Sequence, residues 1–114
     1  MVVKQKLVKT VGVKPEKAYR NLLSGIRDCR WEIIYKEKED LEVFGMTTGL
    51  GSSTITSMLT EGARYVPFFA RIFPSKNGSR IISIAGGSET ILGWDFGRNK
   101  KVAEEIIKMC EGKK

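Results

Sequence analysis

Asp95-Phe96-Gly97-Arg98-Asn99, followed by Lys100 to Glu111, is the stretch that decides the fold of this chain. Beyond it Val102, Ala103, Ile106, Ile107 and Cys110 recur at helical spacing, opposite Lys101, Glu104, Glu105 and Lys108, which predicts a terminal amphipathic helix. Asp95 suits the N-cap of that helix, because its carboxylate can accept hydrogen bonds from free backbone N–H groups. Gly97 then permits close packing and Asn99 bonds locally. The rival reading uses the same helix end, with Arg98, Lys100 and Lys101, as an anion site, which the charge of Asp95 would oppose. One apolar stripe must be covered by something, and the segment upstream is rich in β-forming residues.

Working back toward the N-terminus, Arg80 to Ala85 reads as a strand entered from the Asn77-Gly78 turn, and Glu89 to Leu92 as a brief pairing after Gly86-Gly87. Ala63 to Phe73 is a further strand, in which Pro67 suggests an edge position or a bulge. Thr54 to Thr60, after the loop Gly49-Leu50-Gly51-Ser52-Ser53, favours a strand through its β-branched residues, although Ile55, Met58 and Leu59 would also suit a short helix. Trp31 to Lys36 and Leu41 to Thr48 make a hairpin about the polar turn Lys38-Glu39-Asp40. Pro15 and Glu16 open a first helix with the apolar stripe Ala18, Tyr19, Leu22, Leu23 and Ile26, ending near Asp28 or Cys29. Before it Val2 to Val13 alternates apolar residues with lysines, as edge strands do. The resulting order is strand, helix, strands, helix. The expected fold class is α+β, a curved antiparallel sheet of five to seven strands packed by two helices.

The length of 114 residues suits one domain, residues 1–114, with one modest core. The longest apolar region, Tyr65 to Phe73, is interrupted by Pro67 and Arg71 and falls short of the roughly 20 residues a spanning helix needs. The N-terminal residues lack a secretory pattern, so a cytoplasmic location is expected, with Cys29 and Cys110 as free thiols. The net charge of +7 is uneven. Residues 1–30 hold eight basic and two acidic groups, residues 31–61 two and six, and residues 62–114 ten and five. An acidic hairpin therefore sits between basic flanks, and such a balance permits nucleic acid, anionic lipid or acidic protein as partner.

The sequence contains no histidine, which removes the commonest general base and metal ligand. The Gly49 to Thr54 loop lacks the lysine of a phosphate-binding loop, and Ser52 or Ser53 has no partner base in view. Glu37, Glu39, Asp40 and Glu42 lack the spacing of a calcium loop and suit a solvated hairpin tip. No enzyme, cofactor or metal site is expected.

The Asp95 to Asn99 motif and its helix resemble the end of small uncharacterised bacterial α+β domains, in which an aspartate, an aromatic residue, glycine, a basic residue and asparagine precede a closing helix. Ser57-Met58-Leu59-Thr60-Glu61-Gly62 is similar to their upstream strand and turn. In layout the chain also resembles a shortened START-like, helix-grip domain, which implies a sheet wrapped about the terminal helix and an apolar cavity between them.

Two binding readings follow. Tyr35, Tyr65, Phe69 and Arg71 are the candidate ligand-binding residues, the rings giving apolar contact and the arginine fixing an anionic head group of a small amphipathic ligand between sheet and terminal helix. An open sheet face would equally take a protein partner, including a second copy in a homodimer. The alternative is a nucleic-acid-binding module using Arg64, Arg71, Arg80 and the N-terminal lysines beside Tyr65, Phe68, Phe69 and Phe73. Trp31 and Trp94 are expected to anchor helix to sheet.

Overall fold

The computed structural model of the chain describes residues 4–47, 66–86 and 98–112. Strand β1 (Lys4–Val11) leads into helix α1 (Pro15–Asp28), followed by strands β2 (Glu32–Glu37), β3 (Glu42–Met46), β4 (Pro67–Ser75) and β5 (Gly78–Gly86) and by helix α2 (Arg98–Glu111). The strands form one antiparallel sheet in the order β1-β5-β4-β3-β2. This is the expected α+β architecture, with five strands and two helices among the described residues. The expected strands Thr54 to Thr60 and Glu89 to Leu92, together with Trp94 and the Asp95 cap, lie outside those residues. No described helix is long and apolar enough to cross a membrane.

Both helices pack on one face of the sheet. Helix α1 starts with Pro15 in its first turn and buries Ala18, Tyr19, Leu22 and Ile26 of the stripe its spacing predicts, with Leu23 half-buried beside them. Its end is closed by paired bonds, from Arg30 N–H to Arg27 O (2.9 Å) and from Trp31 N–H to Ile26 O (3.1 Å), with Arg30 in the left-handed region at φ 61°. Helix α2 buries Val102, Ala103, Ile106, Ile107 and Cys110. Its last turn is held by Asn21 of α1, whose side-chain amide donates to Cys110 O at 3.1 Å. The two helices lie side by side, and Gly25 is what lets them meet: a Cβ there would stand 2.5 Å from Met109 Cγ.

The sheet presents Phe68, Ala70 and Ile72 of β4, Ile81 and Ala85 of β5 and Val43 of β3 to the helices, all fully or almost fully buried. Polar groups inside this layer are satisfied. Ser83 Oγ donates to Ala103 O of α2 at 3.0 Å, Ser79 Oγ donates to Val13 O, and Thr47 Oγ1 accepts from Val66 N–H at 2.9 Å. The expected anchor Trp31 stacks at a tilt on Phe68, with ring centroids 5.5 Å apart.

Two expectations change. Pro67 begins a strand that lies between β3 and β5, so it marks neither a sheet edge nor a bulge; as the first residue its missing N–H costs no interior ladder bond. The bulge instead falls in β2, where Ile33 opposes Gly45 while Tyr35 opposes Phe44, leaving Ile34 as the extra residue. Ile33 and Tyr35, two apart and so expected on one face, are thereby sent to opposite faces.

Candidate functional site

The structure brings three of the four sequence-predicted site residues together, on the face turned away from the helices. Tyr35 opposes Phe44, Phe44 opposes Phe69, Phe69 opposes Ile84, and Ile84 opposes Lys6, so one row crosses all five strands. Tyr35 is 52% and Phe44 36% exposed. Arg71 lies two residues beyond Phe69 on the same face, opposite Glu42 and Ile82. Tyr65 lies outside the described residues, as does Arg64.

That placement corrects the expected site between sheet and terminal helix. Phe69 and Arg71 alternate with Phe68, Ala70 and Ile72, and it is the latter set that the helices cover. Under the described length of α2 the space is filled by Ala103, Ile106 and Cys110 against Ile81, Ser83 and Ala85, with Ser83 bonded directly to the helix backbone.

The role expected for Arg71 also changes, because its charge is already met. Its Nη1 lies 3.4 Å from Glu42 Oε2, its Nη2 lies 3.9 Å from Asp40 Oδ1, and the guanidinium stands 4.8 Å over the Phe73 ring. Its Nε is buried without a hydrogen-bond partner. Arg71 thus ties the hairpin to β4 and is occupied, which also takes the central cation from the aromatic nucleic-acid platform; Arg80 stays exposed opposite Phe73 and Thr10.

Another concavity was not evident from sequence. The first turns of α1, the turn between β2 and β3 and the end of β4 enclose a groove of about 550 Å³, walled by Pro15, Leu41 and Pro74 and rimmed by Lys14, Lys17 and Arg20, with Glu16 beside them. An adjoining hollow of about 350 Å³ shares Glu16, Arg20 and Leu41 and extends the groove to Tyr19 and Lys38. Both volumes fall in or near the range of small-molecule sites, roughly 300–1,000 Å³. Four cations face one carboxylate along this lining, while lysine and arginine stems add apolar wall.

The groove is held rigidly. Tyr19 donates from its hydroxyl to Glu42 O at 2.9 Å, fixing α1 against β3. Burial, then the nearby carboxylates of Glu37 and Glu42, push the Tyr19 phenol above its ordinary value, so it remains a donor at neutral pH. Leu41 takes the left-handed backbone conformation at φ 52°, unusual for a residue of its size, and its carbonyl accepts from Ile72 N–H at 3.1 Å. That geometry puts an apolar side chain into the groove from the tip of a charged turn. The three-residue spacing of Lys14, Lys17 and Arg20 was the signal in the sequence; the facing wall comes from segments far along the chain. Among the described residues no three Cys, Asp or Glu side chains are grouped as metal ligands.

Two helices held against one face of an antiparallel sheet, with the second following the last described strand, define a helix-grip arrangement. No family model matches the sequence, and no curated protein matches it. Solved structures do. The crystal structure of Ara h 8.0201 superposes with a TM-score of 0.67 at 14% identity, over 98% of this chain and 97% of that one. TTHA0849 from Thermus thermophilus gives a TM-score of 0.52 at 11% identity, over 96% and 94% of the two chains. The major latex-like protein 151 from Panax ginseng gives 0.51 at 12% identity, over 96% of each. At these identities the likeness is one of fold.

Proposed function

We propose that this chain is a non-enzymatic binding domain for a small amphipathic anion, and that the groove between α1 and the β2–β3 turn holds it. The observation that carries the reading is the groove's division into an apolar floor, from Pro15, Leu41 and Pro74, and a cationic rim, from Lys14, Lys17, Arg20 and Lys38. Such a site favours a ligand with a short hydrocarbon body and a carboxylate, sulfonate or phosphate head, because each half satisfies a different wall. The helix-grip fold supports a binding role by analogy of architecture, and a cytoplasmic location agrees with Cys29 and Cys110, both free thiols.

Calorimetric titration with decanoate, decanol and inorganic phosphate tests the proposal. Decanoate binds, and decanol and phosphate each bind at least about tenfold more weakly, since each lacks one half of the recognition. Lys17→Glu combined with Arg20→Glu lowers decanoate affinity by about tenfold or more and leaves decanol unchanged, whereas Leu41→Ser weakens both. Equal affinity for decanoate and decanol, absence of decanoate binding, or a charge-reversed variant that binds as the parent does would overturn it.

A further inference from the structure

Independently of the groove, the sheet face that no described element covers has the composition of a surface that fits itself. Its central rows carry Phe44 and Phe69, then Ile82 and Ile84, with Val8 46% and Tyr35 52% exposed at either side. Charge on this face is sorted by strand. Glu32 and Glu37 lie on the β2 margin and Lys6 and Arg80 toward the β5–β1 margin, while Arg71 in the middle is met by both Glu42 and Asp40, which leaves one net negative charge on the β3 side. An apolar band with acid along one side and base along the other is self-complementary under one particular rotation. Turning a copy by a half-turn about an axis parallel to the strands, over β4 and midway between two stacked sheets, lays β2 over β1 and β3 over β5 of the partner. Lys6 then faces Tyr35 of the partner, between Glu32 and Glu37 of the neighbouring rows, and Arg80 lies one row beyond the partner's Glu42, so acid and base meet diagonally on both sides while apolar residues meet in the centre. A half-turn about an axis across the strands would set acid on acid.

We propose that two copies of this chain pair face to face through the open side of the sheet, with a two-fold axis along β4. Stacked sheets lie about 10 Å apart, and Phe69 meeting its own copy at the axis, with Phe44 meeting the partner's Ile84 on either side, fills that distance. Five strands at about 4.8 Å spacing and about six residues of rise give a face of roughly 24 by 20 Å, so the pair buries on the order of 1,000 Å² in total, the lower bound for a specific interface. The pairing is therefore a concentration-dependent equilibrium, and it is isologous, so each charged contact occurs twice.

Sedimentation equilibrium over a wide concentration range reads it. The parent protein passes from monomer to dimer, and Phe44→Lys, at a position outside the core, weakens the dimer by about tenfold or more with an unchanged melting temperature. Two charge variants keep the test independent of that residue: Lys6→Glu with Arg80→Glu, and Glu32→Lys with Glu37→Lys. Each alone is weakened by about tenfold or more, and an equimolar mixture of the two returns to within about threefold of the parent, because reversed margins then face one another. A parent that stays monomeric at millimolar concentration, a dimer indifferent to Phe44→Lys, or a mixture no tighter than its components would overturn the proposal.

Discussion

Phe68 and Phe69 are neighbours in β4 and chemically identical, yet Phe68 is 1% exposed beneath Trp31 and the helices, while Phe69 sits in the open row between Phe44 and Ile84. The inner face is closed by two helices, seated hydroxyls and glycines with no room for a side chain. The outer face carries comparable apolar surface and, among the described residues, no helix over it. What separates the two is the rest of the fold, not the residues themselves, so stability should reside on one side of the sheet and recognition on the other side and at its end.

The largest expected effect is that contrast itself. Phe68→Ala should lower unfolding stability by about 3–5 kcal/mol, the cost of a large buried cavity, whereas Phe69→Ala, at a half-buried position with room to relax toward solvent, should cost about 1–2 kcal/mol in dilute, monomeric protein. Urea unfolding of the two variants measures both. Gly45→Ala sharpens the same point from the neighbouring strand. A Cβ at that position would stand 2.7 Å from Phe68 Cζ and clash with Glu32 O, so the variant should lose about 2 kcal/mol or more although it adds only a methyl group.

A smaller effect distinguishes the two thiols. Cys110 is buried on the inner face of α2 and Cys29 is exposed after α1; burial pushes the Cys110 thiol from its ordinary 9.0 up to about 12. The unfolded chain loses that proton first as pH rises. Stability from this group is therefore fully present below about pH 9 and declines as pH climbs toward 12, by at most about 1.4 kcal/mol per pH unit. Urea midpoints across that range should fall more steeply for the parent than for Cys110→Ala, and a thiol reagent should modify Cys29 in the folded protein while sparing Cys110. Arg71→Met is expected to change least, by under about 0.5 kcal/mol, because it trades two long, solvent-screened ion contacts for relief of an unpartnered buried Nε. The same variant should leave decanoate affinity unaltered, which separates the open face from the groove.

The helical stripes were largely legible, since Ala18, Tyr19, Leu22 and Ile26, and then Val102, Ala103, Ile106, Ile107 and Cys110, are buried as their spacing demands, while Leu23 is only half-buried and Met109 joins the core unannounced. The alternation in β4 was legible too, but not which half of it would be covered, because both halves hold phenylalanines. Arg71 between Phe69 and Phe73, against Ala70 between Phe68 and Ile72, was the available clue: a helix can close on alanine and not on a paired guanidinium. The bulge at Ile34 was hidden, since it depends on Gly45 lying beneath Glu32 and against Phe68 across three strands. Only the basic side of the groove could be anticipated, from Lys14, Lys17 and Arg20; Leu41 in a left-handed conformation and Pro74 at a strand end arrive there through tertiary packing.

A backbone amide NMR titration with decanoate tests the central claim most directly, because it reports where on the molecule an amphipathic anion settles. A ligand in the groove gives saturable shifts concentrated in Glu16 to Arg20, Lys38 and Leu41, with Phe44, Phe69, Ile84 and the inner residues Ile81 and Ile106 undisturbed. Shifts centred on Ile81, Ser83 and Ile106 would put the ligand back beneath the terminal helix, and shifts centred on the Phe44–Phe69 row would put it on the open face; either result contradicts the groove.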